Sequence, residues 1–254
     1  MNIVIITAMP EEYKAVAASL GLSVRGVGRG DVGRISAFGH NYELALSGMG
    51  FDNAARTAEQ LLRSEAPDLL ISTGFCGAVA QELQVGDVVV ARSLVVSNEL
   101  GFDEVPVMLA DVGQTFVARQ SMAGGRVCGG TFVSTSKVVA KQVLARIVPP
   151  HCQNSVVEME SSAVALVAGE HGIPLVAIRA VSDDAGEELC FSLDEFCDRD
   201  LLRIKPVKVL LTVLKRPTII PQLFRLSRNS SLAAVRLQTA LTSLFVQLQG
   251  ASGC

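Results

Sequence analysis

A chain of 254 residues, 49% of them apolar and 19% charged, can bury one large core, which excludes an intrinsically disordered protein. The net charge of −3 is unevenly divided: residues 201–254 hold eight basic and no acidic side chains, the remainder 14 basic and 25 acidic, so a basic tail suited to an anionic partner follows an acidic body. Lys208, Lys215 and Arg216 interrupt the most apolar stretch, and no uninterrupted run reaches the roughly 18 residues needed to cross a bilayer.

In chain order, residues 3–6 read as a buried strand, and Pro10 with Glu11 and Glu12 as the first turn of a helix that Gly21 ends. The opening shows no charged region, long apolar region or small-residue cleavage site, and a cytoplasmic location is expected. Residues 34–38 and 42–46 alternate within a glycine-rich stretch and are expected to pair as an antiparallel hairpin. A helix at 53–65 closes before Pro67; strands follow at 69–72 and, around a turn at Gly86-Asp87, at 85–91. A strand at 126–133, a hydroxyl-capped helix at 136–146, a strand at 155–158, a helix at 161–170 stopped by Gly172 and Pro174, and a strand at 175–181 continue the alternation. The expected fold class is α/β, a mixed central β-sheet flanked by helices. In the tail, Val207, Leu210, Leu211 and Leu214 share one helical face, and Leu237, Leu241, Leu244, Phe245 and Leu248 another. Two readings compete for these stripes. Either both helices cover the sheet and their basic residues face water, or they lie on anionic lipid, where each nearby Lys or Arg adds about 1 kcal/mol.

Several chemistries lack their usual residues. The six cysteines, Cys76, Cys128, Cys152, Cys190, Cys197 and Cys254, show no paired spacing and read as thiols. His40, His151 and His171 are scattered, with no His-x-x-x-His or Cys-x-x-Cys to build a metal shell. The Gly-x-Ser-x-Gly elbow and the phosphate-binding Walker loop are absent. Gly28-Arg29-Gly30-Asp31-Val32-Gly33 matches a dinucleotide fingerprint in letters only, because a strand follows it where the fingerprint opens a helix.

What remains is acidic. Glu11 and Glu12 follow the first strand, Glu158 and Glu160 follow Val156 and Val157, and Asp183 and Asp184 follow the strand at 175–181. Ligands of open α/β sheets bind beyond the carboxyl ends of strands, so these carboxylates are placed to meet and to do acid/base work on a small molecule. Plainer readings exist for each: Glu11 and Glu12 complement a helix N-terminus, Asp183 and Asp184 sit in a loop, and Phe132, Met9 and Met159 fill the core.

Three stretches, Ile6-Thr7-Ala8-Met9-Pro10-Glu11-Glu12, Val157-Glu158-Met159-Glu160-Ser161-Ser162-Ala163 and Arg179-Ala180-Val181-Ser182-Asp183, carry a more specific signal. Together with Ser47-Gly48-Met49-Gly50, Thr73-Gly74-Phe75-Cys76-Gly77-Ala78 and Phe191-Ser192-Leu193-Asp194-Glu195-Phe196, they resemble, in order and spacing, the purine nucleoside phosphorylase superfamily. The closest resemblance is to the methylthioadenosine/S-adenosylhomocysteine nucleosidases, over about residues 1–200. The resemblance implies a nucleoside phosphorylase-like catalytic domain at 1–200, with 201–254 a basic helical extension packed on it. It also implies cleavage of a ribose–purine bond without metal or organic cofactor. By the match, Glu12 activates the attacking water, and Asp183, steered by Ser182, protonates the purine. Glu160 holds the ribose hydroxyls beside Met159 and Met9, Phe132 stacks on the base, and the Val133 backbone reads its edge. Arg179 offsets the crowding of carboxylates, and Met49, Phe75 and Glu158 belong to the same binding set. The arginine with which phosphorylases hold phosphate is matched by Ser72 and their serine by Phe75, so water is the expected nucleophile. In that family a neighbouring subunit helps line the pocket for the 5′ substituent, which implies a homodimer. Alternatives are a lipid-linked nucleoside such as adenosylhopane as substrate, a phosphate-dependent phosphorylase, and a nucleoside-binding protein without turnover. A nucleic-acid partner is not expected, because the basic tail is leucine-rich and has no Trp or Tyr for stacking.

Overall fold

The computed structural model describes residues 1–24, 26–28, 30–64, 66–98, 101–122, 126–136, 139–187 and 220–251. Strand β1 (Asn2–Thr7) leads into α1 (Pro10–Ser19), β2 (Val32–Ala37) and β3 (His40–Leu46) form the expected antiparallel hairpin, and α2 (Phe51–Ser64) leads to β4 (Leu69–Ala78). There follow β5 (Val88–Asn98), β6 (Gly101–Glu104), α3 (Asp111–Met122), β7 (Val127–Ser134), α4 (Lys141–Ile147), β8 (Val156–Glu158), α5 (Ser161–His171), β9 (Leu175–Asp183) and α6 (Ile220–Ala251).

The strands form one mixed sheet in the order β2-β3-β1-β4-β8-β7-β5-β6, with β9 bridging β4 and β5. Because β9 pairs parallel with β4 and antiparallel with β5, while β8 joins β4 to β7, the pairs β4-β9-β5-β7-β8 close on themselves. Closure satisfies backbone groups that open edges would leave bare. Alternation along β1 explains the layers: Val4 and Ile6 face the cluster under α2 and α5, whereas Ile3 and Ile5 face the cluster under α1 and α6. Helix α5 is apolar nearly all round, Ala163, Val164, Ala165 and Ala168 being fully buried. It ends at Gly172, whose φ of +66° fits the left-handed position that glycine takes without penalty.

Three expectations need correction. The helix expected at 136–146 begins only at Lys141, with Ala140 at its cap and no hydroxyl cap, because the Thr135 amide donates to the Glu158 carbonyl at 2.9 Å and keeps the chain beside β8. The strand expected at 69–72 runs on to Ala78, and the one at 85–91 starts at Val88 and runs to Asn98; Arg92 and Ser93 break the apolar run without ending the strand. The glycine-rich decoy needs no correction: as expected, a strand and not a helix follows it, and Gly28 N donates to the Asp31 carboxylate at 2.6 Å before β2 begins.

Leu237, Leu241, Leu244, Phe245 and Leu248 of α6 are all buried, and Phe245 packs on Tyr42 with ring centroids 5.0 Å apart. Each such side chain contributes about 1.5–3 kcal/mol by burial. This stripe is therefore spent on the core, beside α1 and β9. The other tail stripe, at 207–214, and the stretch from Phe191 to Phe196 lie outside the described residues. No helix among the described residues is long and apolar enough to cross a membrane.

Candidate active site

Strands β1, β3, β4 and β9 run parallel, so their carboxyl ends reach one edge of the sheet. Strand β8 crosses the last residues of β4, pairing Val157 with Gly77, and delivers Glu158 to the same place. There a cavity of about 380 Å³ opens. A larger hollow of about 630 Å³ lies at the amino end of β1, beside Asn2, Asn41 and Pro67. It holds none of the clustered carboxylates, and its one acid, Glu43, is paired with Arg34 at 3.0 Å.

Glu12 is set by the start of α1. From the third helical position its Oε2 accepts the amides of Ala8 and Met9, both at 2.9 Å, which satisfies helix-end donors. Its Oε1 accepts Phe75 N of β4 at 2.7 Å, so one carboxylate ties two elements together. A Cβ at Gly74 would lie 2.5 Å from that Oε1, and only glycine lets β4 come this close. Burial pushes the Glu12 carboxyl above its usual value, against the pull of the Arg179 charge and the three amides.

Behind the cavity a second acid is fully engaged. Glu158 Oε2 accepts Arg179 Nη2 at 3.0 Å, Ser161 N at 2.6 Å and Glu160 N at 3.0 Å, while Oε1 takes the Ser134 hydroxyl. Arg179 also donates to Ser72 Oγ at 3.1 Å and to the Ile178 carbonyl at 3.3 Å. The guanidinium is thus committed to the protein. Glu160 is held differently: Oε1 accepts Gly50 N at 2.7 Å, Gly50 having a φ of +93° that turns its amide inward. Burial first, and then the neighbouring Glu158 charge, push the Glu160 carboxyl up to about 7.

The third acid, Asp183, ends β9 where β4 slips register between Cys76 and Gly77. Its Oδ1 accepts the Ser182 hydroxyl at 2.7 Å, and its Oδ2 receives Lys141 Nζ at 2.5 Å. Cys76 also lines the cavity, but burial holds its thiol well above the usual value, so it presents S–H rather than a nucleophilic thiolate.

Of the residues expected at the site, Met9, Glu12, Met49, Phe75, Glu158, Met159, Glu160, Ser182 and Asp183 line this cavity. Arg179 lies behind it, 98% buried by side-chain packing around Glu158 and 6.0 Å from the Phe132 ring centroid. Phe132 and Val133 are fully buried in neighbouring core clusters and do not line it. Lys141 and Glu187 line the cavity without having been expected. A lysine at the first position of a helix opposes the dipole and is a usable signal, but the helix start expected at 136 concealed it.

Comparison with known proteins gives one coherent result. Residues 2–207 match the family described as the phosphorylase superfamily. A 5′-methylthioadenosine/S-adenosylhomocysteine nucleosidase of Lysinibacillus sphaericus is 32% identical over 216 residues, 77% of this chain and 92% of that protein. One from Chromohalobacter salexigens is 32% identical over 220 residues, 78% of this chain and 91% of its own. Among solved structures, the Helicobacter pylori nucleosidase of the same name superposes with a TM-score of 0.70 at 17% identity, covering 96% of this chain and 97% of that one. Futalosine hydrolase of the same organism gives 0.69 at 17%, covering 96% and 97%. These superpositions establish a shared fold.

Proposed function

The chain belongs to the phosphorylase superfamily, and from that premise we propose that it is a nucleosidase, cleaving the N-glycosidic bond of an adenosine-type nucleoside with water as nucleophile. The charge of the cavity carries the choice of water. Among the described residues that line it, Glu12, Glu158, Glu160, Asp183 and Glu187 face one cation, Lys141, which is bonded to Asp183, while Glu158 is paired with Arg179 and Glu187 with Arg225. A phosphate dianion needs donors that are not already spent, and Arg179, behind the cavity, has its own on Glu158, Ser72 and Ile178.

In this reading the residues divide the labour of a reaction that passes through a ribosyl cation. Glu12 takes the proton of the attacking water, its carboxylate being fixed by amides on both oxygens. Glu160 accepts the ribose hydroxyls, and its negative charge stabilises the positive charge growing on the sugar. Asp183, oriented by Ser182, serves the departing base. Glu158 and Arg179 hold the main chain of Glu160 and Ser161 in place. Methylthioadenosine and S-adenosylhomocysteine, named for the relatives, are the first substrates to try.

Incubated with these nucleosides and adenosine, the protein is expected to release base and free ribose at the same rate with or without phosphate. Chromatography of the sugar product decides it: strict dependence on phosphate, with ribose 1-phosphate as product, would overturn the choice of water. No release from any of the three would favour a lipid-linked nucleoside or a protein that only binds.

The Glu160 carboxyl at about 7 sets a pH dependence. As an acceptor it must be ionised, so KM is expected to fall as pH rises through about 7, and Glu160→Gln to flatten that slope. Stability runs the other way. Between the ordinary 4.5 and about 7 the folded protein holds a proton that the unfolded chain has released, so the empty protein loses stability as pH climbs through that window. A KM independent of pH between 5.5 and 8.5 would show that Glu160 does not bind as its anion.

Two finer features belong to the same reading. A homodimer would complete the pocket for the 5′ substituent, and the mass in solution tests it. Contact with anionic membrane would fall to residues 201–219, because the 237–248 stripe of α6 is buried; flotation with anionic vesicles at low salt tests that.

A further inference from the structure

The acid at the end of β9 does not act alone. Lys141 Nζ is 2.5 Å from Asp183 Oδ2 and also donates to the Asp184 carbonyl, and its side chain is only 7% exposed. Folding gives little reason for an ammonium here. Lys141 opens α4, where the helix dipole disfavours a cation, and burial takes its charge out of water. The main chain also makes room for the pair: a Cβ at Gly77 would fall 2.7 Å from Asp183 Oδ2 and 3.2 Å from Lys141 Cδ. With Oδ1 accepting the Ser182 hydroxyl, Oδ2 is the oxygen that Nζ meets.

Resting on the nucleosidase reading above, we propose that Lys141 is a positioning residue that supplies, through Asp183, the proton taken up by the departing purine. As the bond between the sugar carbon and the purine nitrogen breaks, its electron pair goes to the base. Asp183 delivers a proton to that base, and Lys141 passes one from Nζ to the Asp183 carboxylate, leaving a neutral amine. Water adds to the sugar carbon and loses a proton to Glu12. That proton returns to Lys141 through solvent, so one water is consumed and the enzyme is restored.

The test compares two leaving groups. Adenosine needs a proton on its departing base, whereas p-nitrophenyl β-D-ribofuranoside expels a stable phenolate without one. In Lys141→Met, kcat for adenosine is expected to fall about 100-fold further than kcat for the nitrophenyl riboside, the usual size of an acid contribution. Lys141→Arg keeps the positive charge, but a guanidinium does not act as a proton donor in proteins, so it is expected not to rescue adenosine cleavage. Equal losses on both substrates, or rescue by arginine, would mean that the lysine only holds the loop and would overturn the assignment while leaving the nucleosidase reading intact. If the unaltered protein cleaves adenosine but not the nitrophenyl riboside, the arginine variant decides alone. If the unaltered protein cleaves neither, methylthioadenosine takes the place of adenosine and the arginine variant decides; release of base from no nucleoside at all would bring down the nucleosidase reading and this assignment together.

Discussion

Glu12→Gln is expected to lower nucleoside turnover by about 10²–10⁴-fold while costing the fold only about 1–3 kcal/mol. The first figure follows from the role proposed for Glu12 as the base that takes the water's proton. The second follows from the three amides on this carboxylate, Ala8 and Met9 on one oxygen and Phe75 on the other. A glutamine has one acceptor oxygen, so in either orientation its NH₂ faces a backbone N–H and at least one buried donor goes unmet. Because the same contacts place α1 against β4, Glu12→Asp is no remedy; a side chain shorter by one methylene cannot hold both amide sets. Steady-state kinetics with a parallel urea titration separates the two effects. Turnover within about threefold of the unaltered protein would remove Glu12 from the role of base.

The largest loss of stability is expected at Arg179. Arg179→Met leaves Glu158 buried without its counter-charge, at about 3–5 kcal/mol, or a fall of about 6–20 °C in Tm for a domain of this size. The damage also spreads by charge. Arg179 lowers both the Glu12 and the Glu160 carboxyls, so its removal pushes both further up and moves the rise of activity with pH to higher pH. Adding Glu158→Gln to Arg179→Met is expected to recover part of the stability, since the buried charge is then gone, but not the activity. Calorimetry of the two single variants and the double one reads this coupling. Additive losses would show that the pair is not a unit.

Much of the site was legible because its residues follow strands directly. Glu12, Glu160 and Asp183 each stand within a few residues of an apolar run; the parallel β1 and β9 bring Glu12 and Asp183 to one edge, and β8, crossing the end of β4, brings Glu160 there. The two-residue period of the strands and the glycine at the end of α5 were equally readable, being local properties of the chain. Lys141 was not. Its meeting with Asp183, 42 residues away, depends on a late helix start forced by the Thr135 to Glu158 bond, which no local pattern records. Arg179 and Glu158 were recognised, but whether they face the cavity or brace it turns on four hydrogen bonds to Glu158.

The tail draws the same line. Spacing alone made the 237–248 stripe of α6 apolar, and an apolar stripe fits a sheet or a lipid surface equally well. Only the tertiary structure, by setting Leu237, Leu241 and Phe245 into the cluster around Ile5 and Tyr42, decided which surface it covers. By itself the sequence determined most of the strands and helices, though not β6, α3 or the start of α4, together with the acidic character of the site and the family. The tertiary structure decided partners: which carboxylate is open to a ligand, which is spent on an arginine, and which is bonded to a lysine. Local backbone and patterning preferences act over a few residues, whereas burial and charge pairing depend on what the fold brings within a few ångströms.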